Sequence, residues 1–144
     1  MNQGQRANSS GQEAEDIIAG ILMRRGCRIE RQAYIGKSIY GTSLNVDFKV
    51  YGLRHYPDGL IIECKWQSAN GSVDEKLPYL ALNIRDVFPL PAIVVLSGDG
   101  YRPGAKRWLD RQVNDLKSNL IGVMSLEEFV AWIMGVDIDK QTLC

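Results

Sequence analysis

Glu63, Cys64 and Lys65 lie in the run LIIECKWQ, residues 60–67. On an extended chain, side chains alternate, so an acid, one spacer and a lysine put carboxylate and ammonium on one face. That pair suits phosphodiester hydrolysis. The carboxylate can hold a divalent cation, and the ammonium can steady charge developing on phosphate. Alone the triplet carries little weight, because such a pair on a strand is commonly solvated. Its apolar flank adds weight. Charges among Leu60, Ile61, Ile62 and Trp66 fall where a sheet should be covered, and charge near a core needs a reason.

A second acid comes from the preceding strand. Residues 44–51, LNVDFKVY, alternate, with Val46, Phe48 and Val50 facing one way and Asn45, Asp47 and Lys49 the other. Residues 52–58, GLRHYPD, read as a turn. A hairpin turning near residue 55 sets Asp47 opposite Glu63 and Asn45 opposite Lys65, since 47 + 63 and 45 + 65 both equal 110. Cross-strand Cβ atoms lie about 4.5–5.5 Å apart. Carboxylates that close repel unless a cation lies between them. Mg²⁺, held by one or two carboxylates and its own waters, fits this donor set, with Mn²⁺ as a substitute. The backbone carbonyl of Cys64 is a further oxygen donor. Gln67 shares the face of Glu63 and Lys65, while Ile62, Cys64 and Trp66 take the other.

The Pro57-Asp58 pair is not a third part of this site. Asp58 lies five residues before Glu63. At about 3.3 Å per residue that is roughly 16 Å, too far to share a metal. The pair is turn chemistry closing the hairpin.

The elements that position these groups can be read along the chain. Residues 1–10 are polar and expected to be a flexible N-terminus. A helix fits 11–25, with Ala14, Ile17, Ile18, Ile21 and Leu22 on one stripe, Ser9 or Ser10 as cap and Gly26 as stop. Strands follow at 27–35, 44–51 and 59–66, then a loop at 68–72 and a helix over 73–87 interrupted by Pro78. The short run 92–97, AIVVLS, is a buried strand. Pro103 opens a helix over about 104–117, and 121–124 is a strand. Ser125 and Glu128 form a capping box for a last helix through Met134, and 136–144 is a tail. The order α-β-β-β-α-β-α-β-α predicts an α/β fold: a three-layer α/β/α sandwich around a central mixed sheet, in one domain over 11–135.

The 144 residues, 45% apolar and 24% charged, suit one globular domain. No apolar run approaches the ~18 residues of a membrane span, and the N-terminus lacks a signal peptide's apolar centre, so a cytoplasmic protein is expected. Cys27, Cys64 and Cys144 form no metal-binding pattern, and His55 is the only histidine. Zinc and Ser-His-Asp chemistry are thereby disfavoured. With 17 acidic and 17 basic residues the net charge is zero. Nucleic acid must then be met by a local patch. Candidates are Lys49 beside Asp47, Lys76 early in the second helix, and Arg102, Lys106, Arg107 and Arg111 along the later helix.

The order of these motifs resembles the PD-(D/E)XK nuclease superfamily and its restriction-endonuclease-like fold. The resemblance covers about 9–97 and maps the first acid to Asp47 in VDF and the second motif to Glu63 and Lys65. It departs in having Val46 where the motif's proline usually stands. It also implies a helix glutamate in a Gly-x-x-Ala-Glu context, which Gly11-Gln12-Glu13-Ala14-Glu15 matches at Glu15; geometry alone leaves Glu13 and Glu15 equal. Gln67 fits a glutamine that some relatives carry near metal-bound water or phosphate. The resemblance implies a Mg²⁺-dependent endodeoxyribonuclease acting on duplex or branched DNA. Restriction or homing, junction resolution and phage DNA processing are its candidate roles. A homodimer or higher oligomer is implied wherever two strands are cut. The rival is a catalytically silent nucleic-acid-binding or assembly module of the same fold.

Overall fold

The computed structural model describes residues 3–67 and 73–139, with side chains described from Gly11 onward. The elements are α1 (Gln3–Arg24), β1 (Arg28–Lys37), β2 (Ser43–Tyr51), β3 (Leu60–Trp66), α2 (Val73–Asp86), β4 (Ala92–Ser97), α3 (Pro103–Arg111), β5 (Leu120–Met124) and α4 (Leu126–Gly135). The element order is the one read from sequence. Helix α1 starts at Gln3 rather than 11, so Ser9 and Ser10 fall within it and are not its cap. Helix α3 is shorter than expected and tightens into a 3₁₀ turn over Gln112–Asn114. Pro103 stands at its first turn, and the Ser125–Glu128 capping box forms as expected. The loop over 68–72 and the tail beyond 139 lie outside the described residues.

The sheet order is β1-β2-β3-β4-β5, antiparallel across the first three strands and parallel across the last three. Helices cover both faces. Ile18 and Leu22 of α1 and Phe129 and Ile133 of α4 pack with Phe48, Val50, Leu60, Ile62, Ile93 and Val95. Leu77, Leu80 and Ile84 of α2 and Leu109 of α3 pack with Ile61, Ala92, Val94 and Leu96. Strands β3 and β4 alternate cleanly between these layers, which accounts for their apolar runs. The sequence stripe of α1 is broken at Ile17, which is exposed.

The hairpin β1–β2 departs from simple alternation. Val46 belongs to the α2/α3 layer, whereas Phe48 and Val50 belong to the α1/α4 layer. These three were expected on one face. In β1, Ile29 likewise packs on the α1/α4 side and Ala33 and Ile35 on the other. Both strands change face at one level, where Gln32 stands opposite Asp47 between the pairs Arg31↔Phe48 and Ala33↔Val46. Gln32 has φ 51°, the one non-glycine residue with positive φ among those described. A left-handed residue reverses the strand locally, and the paired strand follows.

The β2–β3 hairpin has the expected register: Val50↔Leu60, Lys49↔Ile61 and Phe48↔Ile62. In its connection, Gly59 N–H donates to Tyr56 O at 3.0 Å across Pro57-Asp58, a turn with proline at its second position. Past α4, Arg54 N–H donates to Asp137 O and Asp139 N–H to Gly52 O, so residues 137–139 brace this turn. Phe48 is fully buried beneath α1. Phe48→Ala is expected to cost about 3–5 kcal/mol, read as a lower denaturant midpoint.

Candidate active site

Glu63 and Lys65 come from β3 and share the Ile61 side of the sheet by alternation. Glu63 is only 6% exposed. Its Oε2 lies 3.5 Å from Lys65 Nζ, and the lysine side chain remains 31% exposed. Asp47 comes from β2, at the level where the hairpin changes face.

The β2–β3 backbone ladder stops at Phe48↔Ile62. Beyond it the acids complete the pairing. Asp47 N–H donates to Glu63 Oε1 at 2.8 Å, and Cys64 N–H donates to Asp47 Oδ2 at 2.7 Å. Each carboxylate thus satisfies a backbone donor of the opposite strand, which would otherwise need another partner. These bonds fix both carboxylates and leave Asp47 Oδ1 and Glu63 Oε2 untied to backbone.

The electrostatics show an excess of acid. Burial, and next the charge of Asp47, push the Glu63 carboxyl up to about 7, against the pull of Lys65. Glu15 is raised by burial and then by Asp47, with Arg31 partly offsetting. Burial pushes the Cys64 thiol up, followed by Asp47, Glu15 and Glu63 in that order. The charges of all three acids are thus felt at Cys64. On α1, Glu15 is the acid on which the charge of Asp47 acts. Glu13 instead lines a cleft of about 600 Å³ with Trp66, Ser97, Lys106 and Glu127. Cys64 packs toward the α1/α4 layer.

Gln67 is placed differently from its expected role. It is 4% exposed. Its Nε2 donates to Gly100 O at 2.8 Å and its Oε1 accepts from Val73 N–H at 2.9 Å. The amide fastens the β4–α3 loop and the start of α2 to the end of β3, and these bonds take up its Nε2 and one lone pair of its Oε1. The same junction needs Gly98, whose φ is +87° and whose added Cβ would stand 2.2 Å from Gln67 O. Gly98→Ala is expected to lower stability by roughly 2–4 kcal/mol, seen as a fall in Tm.

A family model described as the PD-(D/E)XK nuclease superfamily domain matches residues 6–136. The chain belongs to the PD-(D/E)XK nuclease superfamily. Comparison with curated proteins and with solved structures gave no significant match. Superfamily members are typically nucleases and generally use divalent metals. The match extends well beyond the motif-bearing residues and takes in β5 and α4.

The donor set here fits such a cation. Asp47 and Glu63 offer hard oxygen ligands, and the Cys64 carbonyl is a third candidate. The raised Glu63 carboxyl marks two acids that a cation would let ionise together. Among the described residues, no group of three or more His, Cys, Asp or Glu side chains is arranged around one point. A Mg²⁺ shell needs no such group, since water fills most of it.

The proposed phosphate contacts are spread out. Lys49 Nζ lies 5.5 Å from the Tyr51 ring centroid, two residues from Asp47. Lys76 is exposed on the first turn of α2. Arg102 is drawn to Asp74, with Nη1 at 3.7 Å from Oδ2. Lys106, Arg107 and Arg111 are exposed on α3. Sequence reading missed Arg31, which bridges Glu15 at 3.8 Å and Asp16 at 3.0 Å. Its signal was present: an arginine interrupts the apolar positions 29, 33 and 35 of β1. No helix among the described residues is long and apolar enough to cross a membrane.

Proposed function

We propose that the protein is a Mg²⁺-dependent endodeoxyribonuclease that hydrolyses DNA phosphodiester bonds. The supporting observation is the pair of carboxylates locked into the β2–β3 gap beside Lys65. Asp47 and Glu63, with the Cys64 carbonyl, would hold the cation, which when bound would supply polarisation of the phosphoryl oxygen and activation of a water. Lys65, partly exposed beside Glu63, orients the attacking water and neutralises charge developing on phosphate. Glu15 adds negative charge from α1 and supports the donor set from the opposite layer. Lys49 and the exposed bases of α2 and α3 track the DNA backbone.

One such site cuts one strand. Double-strand cutting or symmetric junction resolution therefore takes two copies of the chain. Restriction or homing, junction resolution and phage DNA processing are separated by substrate. The protein is incubated with a four-way junction, linear duplex and single strand, each with Mg²⁺ and with EDTA. Cleavage of duplex or junction in Mg²⁺ and none in EDTA is expected. No cleavage of any DNA with Mg²⁺ or Mn²⁺ would leave a nucleic-acid-binding module.

A further inference from the structure

Gln32 is exposed, polar and remote in sequence from every acid of the site, yet it is the one non-glycine residue with positive φ among those described. Its φ of 51° costs a non-glycine residue about 1–3 kcal/mol. Strain of that kind persists only where the surroundings impose it, and the position holds glutamine rather than the glycine or asparagine that adopts it readily. Two consequences sit at the same level of the sheet. First, β1 and β2 change face there, turning the chain so that Asp47 stands at the crossover. From that position Asp47 reaches Cys64 N–H in the sheet gap and also raises Glu15 on the α1 side. Secondly, Gln32 Nε2 donates to Asp47 Oδ1 at 3.2 Å. Asp47 Oδ1 is the oxygen that the backbone leaves untied. A carboxylate oxygen has a second lone pair, so this bond aims it without using it up.

We infer that Gln32 is a positioning residue for the metal-binding carboxylate of Asp47, through its left-handed backbone and its side-chain amide together. This rests on the proposed metal site but concerns a residue outside the family's motif. Hydrogen-bond partners of ligating carboxylates typically change metal affinity 10- to 100-fold when removed.

The test separates positioning from scaffolding. Gln32→Gly accepts φ 51° without strain and removes the amide. Its Tm is expected to equal or exceed that of the wild-type chain, while Mn²⁺ affinity by calorimetry falls about 10- to 100-fold. Cleavage should then be recovered by raising Mn²⁺ by the same factor, a shift in metal requirement with little change in the rate at saturation. Gln32→Ala removes the same amide and keeps the strain, so it should lose affinity to the same extent with a Tm below that of Gln32→Gly. Unchanged Mn²⁺ affinity in folded Gln32→Gly overturns the inference, as does an affinity loss only in variants whose Tm falls. Wild-type protein that binds no Mn²⁺ overturns the metal site itself, a different result from either.

Discussion

Asp47→Ala is expected to abolish metal-dependent DNA cleavage, with a loss of roughly a thousandfold or more. The figure follows from removing a metal ligand: several kcal/mol of charge stabilisation go with it, and about 4 kcal/mol is a thousandfold in rate. Alanine also leaves Cys64 N–H without its 2.7 Å acceptor. Asp47→Asn retains an oxygen for that bond and removes only the charge, so it should fold like wild type and still lose most activity. Asp58→Ala supplies the contrast. Asp58 sits in the turn braced by residues 137–139, and its loss should leave cleavage within about twofold while trimming stability by a few tenths of a kcal/mol. Single-turnover rates at saturating Mg²⁺ and urea midpoints for all three variants check both statements.

Glu63→Gln should cost at least about a hundredfold in cleavage and remove a pH dependence expected of the wild type. In the metal-free chain, burial and Asp47 raise the Glu63 carboxyl from 4.5 to about 7. Between those values the folded chain binds a proton that the unfolded chain has released, so stability falls as pH rises. The contribution is fully present below about pH 4.5 and lost as pH rises through about 7, of order 3 kcal/mol for a shift of this size. With EDTA present, Tm should therefore drop between pH 5 and 7.5, and Glu63→Gln should flatten that drop. Metal binding must expel the same proton below pH 7. Mg²⁺ affinity should then climb by up to about tenfold per pH unit and level off above 7. A wild-type Tm that rises over this interval in EDTA contradicts the raised carboxyl.

Much of this arrangement was legible in the chain. The apolar run LIIECKW and the alternation of LNVDFKVY set the hairpin and its register, and Phe48↔Ile62 confirms it. Order along the chain gave the layers, because strand-helix alternation after β3 forces parallel pairing covered on both sides. Alternation misled at Val46. Nothing in the residue type of Gln32 announces a left-handed backbone, so the change of face was invisible. The surroundings of Gln67 were hidden for a related reason. Period two places its side chain correctly relative to Lys65, but whether an amide meets water or is consumed by a neighbouring loop depends on Gly100 and Val73, which are distant in sequence. That the charge of Asp47 acts on Glu15 emerges only once β2 and α1 are placed together.

The metal site is decided by a crystal soaked in Mn²⁺ at about pH 8, where Glu63 is ionised. Anomalous density about 2 Å from carboxylate oxygens of both Asp47 and Glu63 is the expected result, with Lys65 beside it and the peak absent from Asp47→Asn. A fully soaked crystal with no density between those two side chains, in a protein that still cleaves DNA, contradicts it.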